Sequence, residues 1–290
     1  MFTGSLVAIV TPFRKGKIDE QAFGALIEWQ IANGTNGIVP CGTTGESATL
    51  SFEEHNRVVE LTVEVVNRRV PVIAGTGSNS TDEAIALTRH AKQAGADGAL
   101  LITPYYNKPT QEGLYRHYKA VAEAVDLPLV LYNIPGRTGV NMLPATVARL
   151  SVIKNVVGVK EGSGSVQQAS DIVQTCGERL TLLAGDDALT LPMMAIGGKG
   201  VITVTANIVP TDMANLVKAF ATGKIEEAQK IHFKLSPLFA ALFYETNPIP
   251  VKEALGMMGK IDPELRLPLC AMAADTREKL ASVLKDMGLI

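Results

Sequence analysis

Cysteine is scarce: three in 290 residues, Cys41, Cys176 and Cys270, an odd number far apart. That argues against a disulfide framework or a Cys-x-x-Cys site and makes a reducing cytoplasm the expected compartment. Aromatic residues are also few, 5% of the chain, and 27 Lys and Arg are balanced by 29 Asp and Glu, leaving a net charge of −2. With no basic block and no aromatic-basic interleaving, a nucleic-acid partner or an anionic membrane surface has no electrostatic footprint. Long hydrophobic runs are absent too. Gly, Asn, Thr or Pro break every stretch before the roughly 18 apolar residues a membrane span needs. The uncharged opening, Met1 to Phe13, is followed instead of preceded by Arg14, Lys15 and Lys17, the wrong order for a secretory signal. His55, His90, His117 and His232 are isolated from one another, so no metal site is expected.

What the chain does have is core: 47% of it is hydrophobic. Its length allows two modest domains or one large single-core fold, such as an α/β barrel of roughly 250 residues. Eight short β-branched runs alternate with segments of helical period: Leu6 to Pro12, Gly37 to Cys41, Val70 to Ala74, Gly98 to Thr103, Pro128 to Tyr132, Val156 to Val159, Leu180 to Ala184 and Val201 to Thr205. Ser51 with Glu54, and Ser80 with Glu83, have capping-box spacing, while Gly34, Gly95 and Gly177 mark helix stops. Strands apolar on both faces and separated by single helices predict a parallel sheet covered by helices. An open doubly wound sheet usually carries a Gly-rich turn after its first strand, where this chain has Thr11, Pro12 and Phe13. The expected architecture is therefore an α/β fold, a (βα)8 TIM barrel over residues 1–223. A C-terminal helical region over 224–290 would follow, with helices at Ile225 to Ala241, Ile249 to Met258 and Ala273 to Met287.

Reactive groups of such a barrel sit at the carboxyl ends of its strands. Lys160 follows Val156-Val157-Gly158-Val159, and alternation puts it on the face of Gly158, which leaves room for a long side chain. An amine held there is partly desolvated, which favours the neutral nucleophile needed for Schiff-base chemistry with a carbonyl. Spacing alone equally allows a lysine that reaches solvent or pairs with Glu161. Tyr132 ends an apolar strand as either a core residue or a functional phenol. Thr43 and Thr44 lie in a Gly-flanked turn that is either plain or shaped for a carboxylate, and Arg137 is either a carboxylate clamp or a solvated loop cation.

Two glycine-rich segments fail as phosphate sites. Gly42-Thr43-Thr44-Gly45-Glu46-Ser47 lacks the Gly-Lys-Ser/Thr ending of a P-loop, and Gly75-Thr76-Gly77-Ser78-Asn79-Ser80 lacks the third glycine of a dinucleotide fingerprint. Asp186 and Asp187 after the seventh strand would repel a phosphate where barrels usually hold one. The expected substrate is a carbonyl or carboxylate compound, with no cofactor.

Gly42-Thr43-Thr44-Gly45-Glu46, Tyr132-Asn133-Ile134-Pro135-Gly136-Arg137-Thr138-Gly139 and Val157-Gly158-Val159-Lys160-Glu161 together resemble the signature segments of the dihydrodipicolinate synthase family of pyruvate-dependent class I aldolases. The likeness continues through Thr103 to Asn107, Gly185-Asp186-Asp187 and Asn247 to Lys252. It implies that pyruvate forms a Schiff base with Lys160 and, as an enamine, attacks L-aspartate 4-semialdehyde to give 4-hydroxy-tetrahydrodipicolinate, the entry to diaminopimelate and lysine. It further implies a proton relay of Tyr132, Thr43 and Tyr106, the last lent to a neighbouring subunit; a pyruvate pocket of Thr44, Ile202 and Gly185; and Arg137 receiving the semialdehyde carboxylate. A homotetramer built as a dimer of dimers is expected, with a lysine effector site at Ser47, Ala48, Phe52, His55, Asn79, Glu83 and Tyr105. Phe52 stands where a lysine-sensitive member carries histidine, so feedback by lysine is expected to be weak or absent. The competing readings are a sibling lyase that releases pyruvate from a sialic or 2-keto-3-deoxy sugar acid, against which Arg137 speaks, and a non-catalytic binding protein on the same fold.

Overall fold

The computed structural model describes residues 2–290. Its eight barrel strands are β1 (Gly4–Ala8), β2 (Gly37–Val39), β3 (Ile73–Gly75), β4 (Gly98–Ile102), β5 (Leu129–Asn133), β6 (Val156–Glu161), β7 (Thr181–Ala184) and β8 (Gly200–Thr203). They pair in parallel in the order β2-β1-β8-β7-β6-β5-β4-β3. The remaining gap between β2 and β3 is closed by a single parallel bridge, Ile38 to Val72. There the Ile38 N–H donates to Pro71 O at 3.0 Å and the Gly75 N–H to Pro40 O at 2.9 Å. The third strand starts later than the periodicity suggests, at Ile73 instead of Val70. Pro71 has no N–H to give a ladder.

Strand alternation sorts the side chains into two apolar layers. Leu6, Ala8, Val39, Ile73, Leu100, Val130, Tyr132, Leu183 and Ile202 fill the inside of the barrel. Val7, Ile38, Ala74, Ala99, Leu101, Leu131, Leu182 and Val201 face outward into the helical layer. This two-sided burial is why the strands read as unbroken apolar runs.

Helix boundaries follow local chemistry. Ser51 caps the helix Phe52–Val66 with both halves of a capping box. Ser80 accepts from the Glu83 N–H, but the Glu83 carboxylate goes instead to Ser78 Oγ at 2.7 Å, so the second expected box is half made. Gly95 caps the helix Thr81–Ala94 in the left-handed conformation its missing Cβ permits. A feature without a sequence forecast is the small hairpin Phe13–Arg14/Lys17–Ile18, turned by Lys15 and Gly16, both at positive φ. Lys-Gly is not a strong hairpin signal, unlike Asn-Gly.

The last helices, Ile225–Ala241, Ile249–Met257 and Ala274–Asp286, have no core of their own. Their Leu235, Leu238, Phe239, Leu255, Leu280 and Leu284 join the same cluster as the outward face of the barrel. Among the described residues no helix is long and apolar enough to cross a membrane.

Candidate active site

Lys160 is the penultimate residue of β6, registered against Tyr132 of β5, and only 5% exposed. Its Nζ lies 4.3 Å from the centre of the Tyr132 ring. Glu161, the next residue, faces the other way as alternation requires. Its carboxylate accepts from Asn133 Nδ2 at 3.1 Å, Gln168 Nε2 at 3.1 Å and the Ser163 N–H at 2.7 Å. Pairing of Lys160 with Glu161 is thereby set aside, and so is escape to solvent. Gly158 shares the inner face, but a Cβ there would lie 3.5 Å from a Val130 methyl and 3.2 Å from Thr181 O. The close approach is that of the Thr181 carbonyl of β7, so the glycine lets that strand lie near, and no Lys160 atom is among the nearest neighbours.

Burial pushes the Lys160 ammonium down to about 8; the Asp187 carboxylate opposes that shift and the Arg137 guanidinium adds to it. The Tyr132 phenol is pushed up to about 12 by burial, with Arg137 and the Thr43 hydroxyl pulling it back. A neutral amine and a protonated phenol are thus both available near neutral pH, an arrangement suited to nucleophilic attack beside a proton donor.

Thr43 and Thr44 lie in a turn bracketed by Cys41 and Glu46, both at φ 53. Non-glycine residues in that region are strained and are held there by their surroundings. The turn closes through Gly45 N–H to Gly42 O and Glu46 N–H to Thr43 O, each 3.1 Å. The N–H groups of Thr43 and Thr44 have no partner among the described residues and remain available to an anion. Cys41 is a small buried residue here, its thiol pushed far up by burial and unable to supply a thiolate at neutral pH. Arg137 sits on a single helical turn, Pro135–Thr138, and its Nη2 donates to Asn247 O at 2.9 Å. The Gly185 N–H donates to Glu161 O at 2.7 Å. A Cβ on Gly185 would approach that oxygen and Gly162 Cα to 2.9 Å, so only glycine lets β6 and β7 converge so closely at the mouth. Ile202 is in the inner layer.

A cavity of about 450 Å³ opens above this cluster. Thr43, Tyr132 and Arg137 line it, together with Ser47, Ala48, Phe52, His55, Glu83 and Tyr105. Three residues anticipated for reaction therefore share one space with most of those anticipated for an effector. Lys160, Thr44, Gly185, Ile202 and Asn79 are outside its lining. Asn79 uses its carbonyl to accept from Asn107 Nδ2 at 2.9 Å. Tyr106 is likewise not brought to the site of its own chain: it is 90% exposed, at φ 71.

Three participants have no role in the sequence reading. Asp187, read only as an acid hostile to phosphate, is buried, with Oδ2 accepting from the Thr205 N–H at 2.7 Å and the Val204 N–H at 3.1 Å. Asn247 donates through Nδ2 to Thr44 Oγ1 at 3.0 Å. Lys252 forms a 2.6 Å ion pair with Glu46, both side chains essentially without solvent contact, and also donates to Thr11 O at 2.9 Å. The available signal was a lysine in the apolar helix Ile249–Met257, but its partner lies 206 residues earlier in the chain.

Known proteins share this fold and much of this sequence. A family model described as the dihydrodipicolinate synthetase family matches residues 1–287. The 4-hydroxy-tetrahydrodipicolinate synthase of Thermodesulfovibrio yellowstonii is 63% identical over 290 residues, all of both chains. The crystal structure of dihydrodipicolinate synthase from Aquifex aeolicus superposes with a TM-score of 0.98 at 50% identity over 99% of each chain. The chloride-inhibited dihydrodipicolinate synthase from Acinetobacter baumannii, complexed with pyruvate, does so at 0.98 and 49% identity over the full length of both. With its barrel, its strand-end lysine and likeness along its entire length, the chain belongs to the dihydrodipicolinate synthetase family.

Proposed function

We propose that Lys160 is the nucleophile with which this chain performs the 4-hydroxy-tetrahydrodipicolinate synthase reaction. The observation that carries the assignment is a lysine enclosed at a strand end of the barrel, its ammonium lowered to about 8, against the Tyr132 ring. The neutral amine adds to the keto carbon of pyruvate, and loss of water leaves an iminium. A methyl proton then leaves, and the enamine carbon attacks the aldehyde of L-aspartate 4-semialdehyde. The amino group of that substrate finally displaces the lysine from the imine carbon, closing the ring and freeing Lys160 for another turnover.

Each transfer needs a proton moved within a dry site. A phenol with a pKa as high as that of Tyr132 is a poor base alone. A relay from Tyr132 through Thr43 to Tyr106 moves the proton without stranding charge. The exposure of Tyr106 supports its delivery into a neighbouring chain's site within a dimer of dimers. The free N–H groups of the Thr43-Thr44 turn and the Thr44 hydroxyl receive the pyruvate carboxylate above Gly185 and Ile202, and Arg137 takes the carboxylate of the semialdehyde. Ser47, Ala48, His55, Asn79, Glu83 and Tyr105 make an L-lysine site weakened by Phe52, which offers no hydrogen bond. The enzyme is assigned to the cytoplasm.

Borohydride reduction in the presence of pyruvate, followed by mass spectrometry of peptides, tests the mechanism. A reduced pyruvyl adduct on Lys160, lost in Lys160→Ala, is expected; absence of any adduct would sink it. Arg137→Ala should trap pyruvate normally and lose most of its turnover with the semialdehyde. Normal turnover by that variant, or preferential cleavage of a sugar acid, would favour the sibling lyase reading.

A further inference from the structure

We infer that Asn247, which lies outside the eight strand-helix units, is a positioning residue for pyruvate, acting by directing the single proton of the Thr44 hydroxyl. The inference rests on the reading of Thr44 as a carboxylate ligand. A threonine hydroxyl has one proton to give and two lone pairs. Nδ2 of Asn247, 3.0 Å from Thr44 Oγ1, is a donor only, so Thr44 must accept there and keeps its proton for another acceptor. The backbone carbonyl of Asn247 in turn takes Arg137 Nη2 at 2.9 Å. One residue thereby joins the proposed ligands of both substrate carboxylates.

The arrangement is not simple packing. Asn247 is 4% exposed and Thr44 2%, so neither has water to exchange freely with. Asn247 Oδ1 is buried without a partner among the described residues. The contact the side chain does make is the one from its nitrogen to Thr44. Its own position is set from behind, because the helix Ile249–Met257 that follows is anchored to the same turn by Lys252 and Glu46.

The test is the pyruvate concentration giving half-maximal borohydride trapping on Lys160, which needs no turnover and does not depend on the amount of folded enzyme. Asn247→Ala releases the Thr44 hydroxyl to rotate and should raise that concentration about tenfold, the scale of one lost directed hydrogen bond. Asn247→Asp is the discriminating variant. It preserves shape but accepts the Thr44 proton and adds a negative charge, so its loss should exceed that of Asn247→Ala. A packing role predicts the opposite order, and that order would overturn the inference. In a Thr44→Val background, Asn247→Ala should cause little further change, because the two groups act as one; additive losses would also overturn it. If Thr44→Val by itself leaves pyruvate trapping unaltered, the Thr44 reading falls and this inference with it. If Thr44→Val weakens trapping and Asn247→Ala does not, only this inference fails.

Discussion

A lysine becomes a nucleophile at neutral pH by losing water, and the residues around Lys160 set how far that goes. Burial lowers its pKa to about 8, and the Asp187 carboxylate limits the fall. Below that value the ammonium form dominates, so the rate of adduct formation with pyruvate should climb about tenfold per pH unit and level off above about 8, whereas an ordinary lysine would keep gaining up to about 10.4. Single-turnover trapping across about pH 6 to 11 is the measurement, a range that brackets both values. Replacing Asp187 by Asn removes the charge that favours the ammonium, so the inflection should move to lower pH. An unmoved inflection would mean that the carboxylate does not act on the amine.

At the scale of the element, the turn after β2 illustrates how a local sequence depends on distant ones. Gly42 to Glu46 ends at a left-handed Glu46 whose carboxylate is clamped twice: Oε1 by Lys252, and Oε2 by the Arg266 N–H at 3.1 Å. Phe13 of the small hairpin lies under both cations, its ring centre 4.3 Å from each. Truncating one member of such a buried pair leaves the other charge uncompensated, so Lys252→Met should lower unfolding stability by about 3–5 kcal/mol. Urea titration checks it. The double variant Glu46→Gln/Lys252→Met should recover a large part of the loss, because no bare charge remains inside. A loss of under about 1 kcal/mol in the single variant would show that the pair is not a structural tie.

Over the whole molecule, one member of the proposed proton relay stands apart from the others. Tyr106 stands in solvent on a strained backbone while Tyr132 and Lys160 are enclosed. If it serves a neighbouring site, Lys160→Ala and Tyr106→Phe are each nearly inactive alone, but mixed assemblies should regain activity. The Lys160-bearing site then receives an intact Tyr106 from the other chain. Co-expression with two affinity tags, followed by assay of the purified mixed assembly, measures this directly; activity no higher than either parent would confine Tyr106 to its own chain. The C-terminal region bears on the same site through Asn247, in the turn before the helix Ile249–Met257, and Lys252 within it, so it reaches the barrel mouth as well as covering the side.

Local chemistry was enough to determine the barrel, because period-two burial and helix stops are written within a few residues of one another: all eight strands fall where the apolar runs are, and Ser51 and Gly95 mark helix ends as expected. It also singled out Lys160, since alternation along one strand fixes a side chain's face, and the family likeness named its chemistry. Tertiary structure alone decided what surrounds that amine. Glu161 turned out to serve Asn133 and Gln168, Asp187 became a buried carboxyl, and Asn247 came to bridge Thr44 and Arg137. Apart from Glu161 with Gln168, those contacts join residues tens to hundreds of positions apart. A pattern with a period of two or 3.6 carries no information about such pairs; closure of the barrel and docking of the last helices bring them together.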